Sequence, residues 1–193
     1  LHVGHGILRL PTGKMSSRTG NVIGAEDVLD MITPKIKERL LDMKVPEEEK
    51  DTLTKNIAIG AIKFSILRQA PGRDVLFDLD TSISFEGDSG PYLQYTHARL
   101  CALLDRAHQA GISMEVTTPN HEIELERTIA NYTLTLEKGF KEMGPHYIVQ
   151  HLLLLTRSFN GLYGRKQIVD ENDKEGSAYY VLLAQAVKNI LAH

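Results

Sequence analysis

The chain has 193 residues, of which 42% are hydrophobic and 24% charged, with a formal net charge of −3. These values exclude disordered and fibrous proteins, and the length suffices to bury a core without disulfides or metals. No apolar run approaches the ~20 residues of a membrane-spanning helix, no secretory signal is present and Cys101 is a lone thiol, so we expect a cytoplasmic protein. The slightly acidic balance gives no general support for nucleic-acid binding, which would have to depend on a local surface.

The N-terminal part combines a strand, a polar loop and helix signals. Residues 1–10 are predicted as a strand, and a polar loop of small residues follows over 14–21. Helical spacing then begins, but Thr33 and Pro34 have the pattern of a fresh helix start. Residues 25–44 are therefore predicted as two short helices or one kinked helix.

The rest of the chain is predicted to be helical, apart from an irregular or extended segment at 73–87. Apolar residues recur at spacings of three and four between glycine and proline breaks. This pattern predicts helices over 46–70, 91–110, 119–139 and 145–163, and a last helix after the polar loop at 164–176. The fold class is thus mainly α, with a small β-loop-α lead-in followed by a helical bundle. Fold class alone names no function.

The most distinctive polar segment is GKMSSRTGN at residues 13–21. Lys14 and Arg18 provide two positive charges, while serines and glycines provide hydroxyl donors and accessible backbone amides. These are the groups that bind phosphate, although the spacing is not that of a P-loop. The alternative interpretation is a solvated surface loop.

A second pattern lies on the helix that begins at Gly90 and Pro91. Tyr92, Tyr95, Arg99 and Arg106 share one stripe of this helix. Aromatic rings stack on the bases of an unpaired RNA loop, and arginine meets phosphates or base planes. The alternative is that the tyrosines pack inside the bundle with satisfied hydroxyls.

Both segments resemble one family. The loop GKMSSRTGN is similar to the KMSKS signature loop of class I aminoacyl-tRNA synthetases, in the variant found in arginyl-tRNA synthetases. The run FEGDSGPYLQYTHAR, at 85–99, resembles the junction between catalytic body and anticodon-binding domain in the same family. The resemblance covers essentially the whole chain and implies that 1–45 is the end of a catalytic domain and 46–193 a helical anticodon-binding domain. HVGH at 2–5 resembles the family's HIGH motif, but it lies too close to Lys14 and is interpreted as coincidental.

The resemblance implies an enzyme that joins arginine to tRNA(Arg) in two ATP-dependent steps. Lys14 and Arg18 are then the catalytic residues of this chain, although Ser17 replaces the second lysine of the family's motif. The resemblance also implies that the ATP contacts of this chain are Lys14, Met15, Ser16 and Ser17. Magnesium would accompany ATP as a substrate counter-ion, with no tightly bound cofactor. Arginine and ATP would bind mainly through a catalytic domain absent from this chain, so we expect the chain to be inactive alone. The protein is also expected to be a monomer.

The resemblance also selects the tRNA contacts. These are Tyr95, Arg99, Arg106 and Tyr163, while Tyr92 is assigned to packing. No metal site is expected, because the acidic residues at 78–88 lack calcium-loop spacing and the histidines are scattered. Two alternatives remain: another class I synthetase, such as the cysteinyl or methionyl enzyme, and a non-catalytic helical bundle that binds a protein.

Overall fold

The computed structural model describes residues 3–4, 6–9, 11, 24–41, 43, 45–115 and 122–193. Most of these residues are helical, which confirms the mainly α fold class and the helical bundle after a small β lead-in. No helix within these ranges is long and apolar enough to cross a membrane. The elements are β1 (Leu8–Arg9), α1 (Ala25–Leu40), α2 (Glu47–Leu67), β2 (Val75–Leu76), α3 (Leu79–Ser82), α4 (Gly90–Gln109), α5 (Ile123–Ala130), α6 (Tyr132–Lys141), α7 (Pro145–Arg165) and α8 (Lys174–Ala192).

The chain forms two compact units. The first comprises Leu1–Gln94 with Met143–His146, and the second comprises Tyr95–Glu142 with Tyr147–His193. The residues on both sides of position 45 belong to the first unit. The predicted boundary at 45/46 separates a catalytic from an anticodon-binding domain by function and not by compactness. It stays a prediction.

The core of the first unit lies between α1 and α2. Apolar residues at four-residue spacing give α1 one buried face. They pack with buried residues of α2 and of the segment after it: Val28, Ile32, Ile36, Leu40, Ile57, Ala58, Ala61, Phe77 and Ile83. Strands β1 and β2 pair in parallel, with Leu8 opposite Val75.

Two short helices or one kinked helix are the predicted alternatives for residues 25–44. The structure has a single helix there, α1, and it contains Pro34. It begins after Gly24, whose backbone N–H donates to the Asp27 carboxylate at 2.6 Å. Thr33, just before the proline, donates its hydroxyl to the Leu29 carbonyl at 2.6 Å. Packing of the four-residue stripe thus outweighs the proline's tendency to end a helix.

The segment 73–87, predicted as irregular or extended, contains two short elements, β2 and α3. Asp78 caps α3 by accepting the Thr81 N–H at 2.8 Å. This hydrogen bond, together with a second one that the Thr81 hydroxyl donates at 2.8 Å, holds the pKa of the Asp78 carboxyl below its usual value. The turn of α3 therefore depends on a local side-chain cap.

Helix α2 and the first turn of α4 approach each other closely within the first unit. A β-carbon placed on Gly90 would lie 2.5 Å from the Gly60 carbonyl oxygen. A β-carbon on Gly60 would lie 2.7 Å from Nε2 of Gln94, which donates to the Asn56 carbonyl at 3.3 Å. Residue 90 therefore requires glycine, because its neighbour is backbone, whereas at residue 60 the flexible Gln94 side chain could move aside.

The core of the second unit is shared by α4, α7 and α8. Its fully buried members include Leu100, Leu155, Phe159, Leu162, Val181, Ala184 and Val187. Helix α4 ends at Gln109, and Gly111, two residues later, has a left-handed φ of 66°. This matches the predicted stop and the usual role of glycine after a helix.

The prediction of one helix over 119–139 is wrong in its described part. The chain forms α5 and α6, separated by Asn131. The Asn131 N–H donates to the Arg127 carbonyl at 3.0 Å, and the Asn131 carbonyl accepts the Thr135 hydroxyl at 3.0 Å. Asparagine is a weak helix former, which favours a turn at this position.

Candidate nucleic-acid interface

Helices α4 and α7 of the second unit bring three of the predicted RNA contacts together. Tyr95 and Arg99 are four residues apart on α4 and therefore lie on one face. Tyr163 lies near the end of α7. The guanidinium carbon Cζ of Arg99 is 4.9 Å from the ring centroid of Tyr95 and 4.9 Å from that of Tyr163. We call Tyr95, Arg99 and Tyr163 the arginine–tyrosine cluster.

The arginine–tyrosine cluster is open to solvent. Tyr95 is 41% exposed and Tyr163 is 36% exposed, while Arg99 is half-buried. Cation–π attraction between the guanidinium and the two rings is worth about 0.5–2 kcal/mol per contact, depending on how far the cation is desolvated. The arrangement therefore offers two partly exposed rings held beside a fixed positive charge.

Two polar residues missed by the sequence reasoning hold Arg99 in place. Asn160 Oδ1 accepts from Arg99 Nη1 at 2.8 Å, and Asn160 Nδ2 donates to Thr96 Oγ1 at 3.1 Å. Thr96 is fully buried. The guanidinium is thus tied, through one amide, to a hydroxyl inside the bundle. Asn160 lies three residues before Tyr163, so helical spacing could have suggested it once Tyr163 was selected.

Arg106 lies seven residues after Arg99 on α4, about 10 Å farther along the helix axis. Its exposed side chain lines a cleft of about 210 Å³ together with Tyr163, Lys166 and Gln167. We call these four residues the basic cleft. Tyr163 belongs to both the cleft and the arginine–tyrosine cluster, so the two are continuous. All four predicted tRNA contacts consequently lie in one region of the second unit.

Other predicted site residues fall elsewhere. Lys14, Met15, Ser16, Ser17 and Arg18 lie outside the described residues, so their roles stay predictions. Tyr92, assigned to packing, is half-buried, and its N–H donates to Ser89 Oγ at 3.0 Å. In the described ranges, no three histidine, cysteine or acidic side chains are grouped as metal ligands would be.

Comparison with known proteins assigns this region to a family. Residues 93–193 match the family model of the DALR anticodon binding domain. The chain is 34% identical to an arginine–tRNA ligase of Borrelia hermsii, over 97% of this chain and 33% of the relative. It is also 34% identical to one of Amoebophilus asiaticus, over 98% of this chain and 34% of the relative. Among solved structures, the arginyl-tRNA synthetase of Thermus thermophilus matches with a TM-score of 0.79 and 27% identity.

The solved synthetase is matched over 97% of this chain and 32% of its own length. The chain therefore spans about a third of the length of the relatives it matches. These similarities confirm the resemblance to arginyl-tRNA synthetases that the sequence motifs indicated. The family match begins at residue 93 and includes both the arginine–tyrosine cluster and the basic cleft. This chain belongs to the DALR anticodon-binding domain family.

Proposed function

We propose that this chain is the anticodon-binding part of an arginine–tRNA ligase and that its arginine–tyrosine cluster contacts the anticodon loop of tRNA(Arg). The observation that carries the proposal is Arg99, held by Asn160 between two partly exposed tyrosine rings. Unpaired loop bases are recognised by stacking on aromatic rings and guanidinium planes. The cluster lies within the region that matches the anticodon-binding family.

The net charge of −3 is compatible with this proposal because the cations are local. Arg99, Arg106 and Lys166 lie in the cluster and the basic cleft. Base stacking contributes about 1–3 kcal/mol for each base and does not require a basic surface over the whole protein. Three nearby cations then supply the attraction to the phosphates.

In the proposed enzyme, arginine is first activated with ATP and then transferred to tRNA(Arg). Lys14 and Arg18 stabilise the negative charge that develops on the ATP phosphates, and Met15, Ser16 and Ser17 complete the ATP contacts. Magnesium enters as the counter-ion of ATP. The names of the relatives support this assignment. We propose a cytoplasmic monomer that binds arginine and ATP through a catalytic domain outside this chain, so the chain alone gives no arginine-dependent pyrophosphate exchange.

The test is fluorescence-anisotropy titration of this chain with labelled tRNA(Arg) and with the same tRNA carrying an unrelated anticodon. We expect tighter binding to the unaltered tRNA(Arg). Arg99→Gln should weaken that binding about tenfold, equivalent to about 1.4 kcal/mol, through loss of the charge between the rings. Arg127→Gln, at an exposed arginine of α5, is the matched control and should leave binding unchanged.

Each other outcome has a distinct meaning. Equal affinity for both tRNAs, falling with salt in the same way, would refute anticodon recognition by this chain. Absence of binding even at low salt would favour the alternative in which the helical bundle binds a protein.

A further inference from the structure

The basic cleft has a size and composition that suit one small anionic group. Its volume is about 210 Å³, below the roughly 300–1,000 Å³ of typical small-molecule sites. Leu103, Ile168 and Val169 form its apolar lining, and Arg106 and Lys166 supply two positive charges. A phosphate group fits this combination better than a whole metabolite does.

Neither cation is neutralised by a carboxylate in the described part of the chain. Arg106 has no hydrogen-bond or ion-pair partner for its side chain there. Lys166 places its ammonium nitrogen 5.1 Å from the ring centroid of Tyr180, a buried residue, and forms no ion pair there either. The adjacent Arg165 differs, because it pairs with Glu122. Arg165 is thus paired with a carboxylate, whereas the ammonium group of Lys166 forms no ion pair in the described part of the chain.

The remaining polar wall of the cleft is neutral. Gln167 donates its amide Nε2 to the Val169 carbonyl at 3.2 Å, which fixes the side chain against the wall. Beyond the cleft, the charged side chains include acidic ones. A neighbouring hollow of about 540 Å³ shares Arg106 and Gln167 with the cleft but is also lined by Asp170 and Glu171. We therefore expect a polyanion to be attracted to the basic cleft and repelled by the acidic residues of the neighbouring hollow.

We propose that Arg106 and Lys166 bind one phosphodiester group of the RNA strand whose base stacks on Tyr163, and that Asp170 and Glu171 turn the strand away beyond it. This rests on the proposed function, because it takes the bound RNA from there. Tyr163 connects the two sites, with its ring against Arg99 and also against the cleft. The assignment adds Lys166 to the RNA contacts and gives Arg106 a sequence-independent role.

The experiment measures dissociation constants of this chain for tRNA(Arg), and for the same tRNA with an unrelated anticodon, over a series of salt concentrations. The variants are Arg106→Gln, Lys166→Gln and the double variant. Each single substitution should weaken binding about threefold to fivefold at low salt, by the same factor for both tRNAs. The slope of log affinity against log salt should fall by about 0.7 for each single-strand phosphate that the protein no longer neutralises.

Control variants separate charge from fold. Arg106→Lys and Lys166→Arg keep the charge and should keep the wild-type salt slope. Lys141→Gln removes an exposed lysine of α6 and should change neither affinity nor slope. Glu171→Gln removes a repelling charge and should tighten binding of both tRNAs about twofold. Thermal melts by circular dichroism check that each variant is folded.

Three results would overturn the assignment. If wild type prefers tRNA(Arg) but the glutamine variants keep its affinity and salt slope, the cleft is not a phosphate site and the proposed function stands. If the weakening is confined to tRNA(Arg), the two cations contact bases instead. If wild type binds no tRNA at low salt, the proposed function fails and the phosphate site fails with it.

Discussion

Two pairs of tyrosines in the second unit differ in their burial and in their contacts. Tyr179 and Tyr180 of α8 are 4% and 7% exposed, and their rings pack edge to face with centroids 5.2 Å apart. Tyr95 and Tyr163 are 41% and 36% exposed and contact Arg99. The buried pair belongs to the hydrophobic core, whereas the exposed pair leaves ring surface available for a ligand.

The hydroxyl of Tyr179 completes this contrast. It donates to Glu126 Oε1 at 2.6 Å and accepts the Glu122 N–H at 2.8 Å, so both its roles are satisfied internally. In the exposed pair, the polar contact centres on the guanidinium of Arg99. Burial and hydrogen bonding thus distinguish the buried pair from the exposed pair that we propose to contact RNA, and each pair can be altered separately.

The largest effect should come from Phe159→Ala, in the core beside the exposed pair. Phe159 is fully buried, and its ring centroid lies 6.1 Å from that of Tyr163. Loss of the buried ring should lower the free energy of unfolding by about 3–5 kcal/mol, measured by urea denaturation. Leu154→Ala on the same helix is the control, since Leu154 is 48% exposed and should cost far less. A decrease below about 1 kcal/mol for Phe159→Ala would contradict the packing described.

The next effect concerns Tyr163→Ala, which should mainly affect binding. Removing one stacking ring should weaken tRNA(Arg) binding by about 1–3 kcal/mol. The free energy of unfolding should change by less than about 1 kcal/mol, because the side chain is exposed. Tyr163→Phe keeps the ring and should bind nearly as wild type does in the same anisotropy titration. Equal weakening by both variants would show that the hydroxyl, rather than stacking, is required.

The smallest effect should come from Tyr179→Phe, which removes one hydroxyl from the buried pair. The Glu122 N–H then loses the hydroxyl that accepts its hydrogen bond, and Glu126 loses the hydrogen bond that Tyr179 donates. We expect the free energy of unfolding to fall by about 1–2 kcal/mol, with no change in the ratio of affinities for the two tRNAs. Urea denaturation and anisotropy titration measure these two quantities.

The same hydroxyl predicts a pH dependence. Burial, followed by the hydrogen bond to Glu126, raises the pKa of Tyr179 to about 12, from an ordinary value of 10.0. The folded state holds this proton more tightly than the unfolded state does. The stabilisation is therefore complete below pH 10 and is lost as pH rises toward 12. Wild type should lose more stability than Tyr179→Phe across that interval, and parallel decreases would exclude this tyrosine as the cause.

Local signals account for the parts of the structure that sequence reasoning predicted. Spacing of apolar residues and glycine breaks placed the main helices, because these features act within a few residues. Four-residue spacing likewise placed Tyr95 and Arg99 on one face. The resemblance to synthetases supplied Tyr163, which no local pattern could join to α4.

Tertiary contacts account for what was missed. The hydrogen bond from Arg99 to Asn160 joins residues 61 positions apart, and its geometry exists only once α4 and α7 have packed. Lys166 is another case, because its position depends on the ring of Tyr180 in α8. The break at Asn131 was missed for a different reason, since asparagine disfavours helix too weakly to be decisive in a sequence pattern.

The close approach of Gly60 and Gly90 limits which substitutions this fold tolerates. At residue 90, even alanine, the smallest replacement, would place its β-carbon 2.5 Å from the carbonyl oxygen of Gly60. That oxygen belongs to a helix and cannot rotate away as a flexible side chain could. In a library randomised at residue 90, glycine should be the main survivor of selection for folding. A β-carbon added at Gly72 would meet no atom of the described residues within 4 Å, and its restriction there comes from the φ of 79°. One position is thus limited by space and the other by backbone conformation, so asparagine should be accepted at residue 72 and rejected at residue 90.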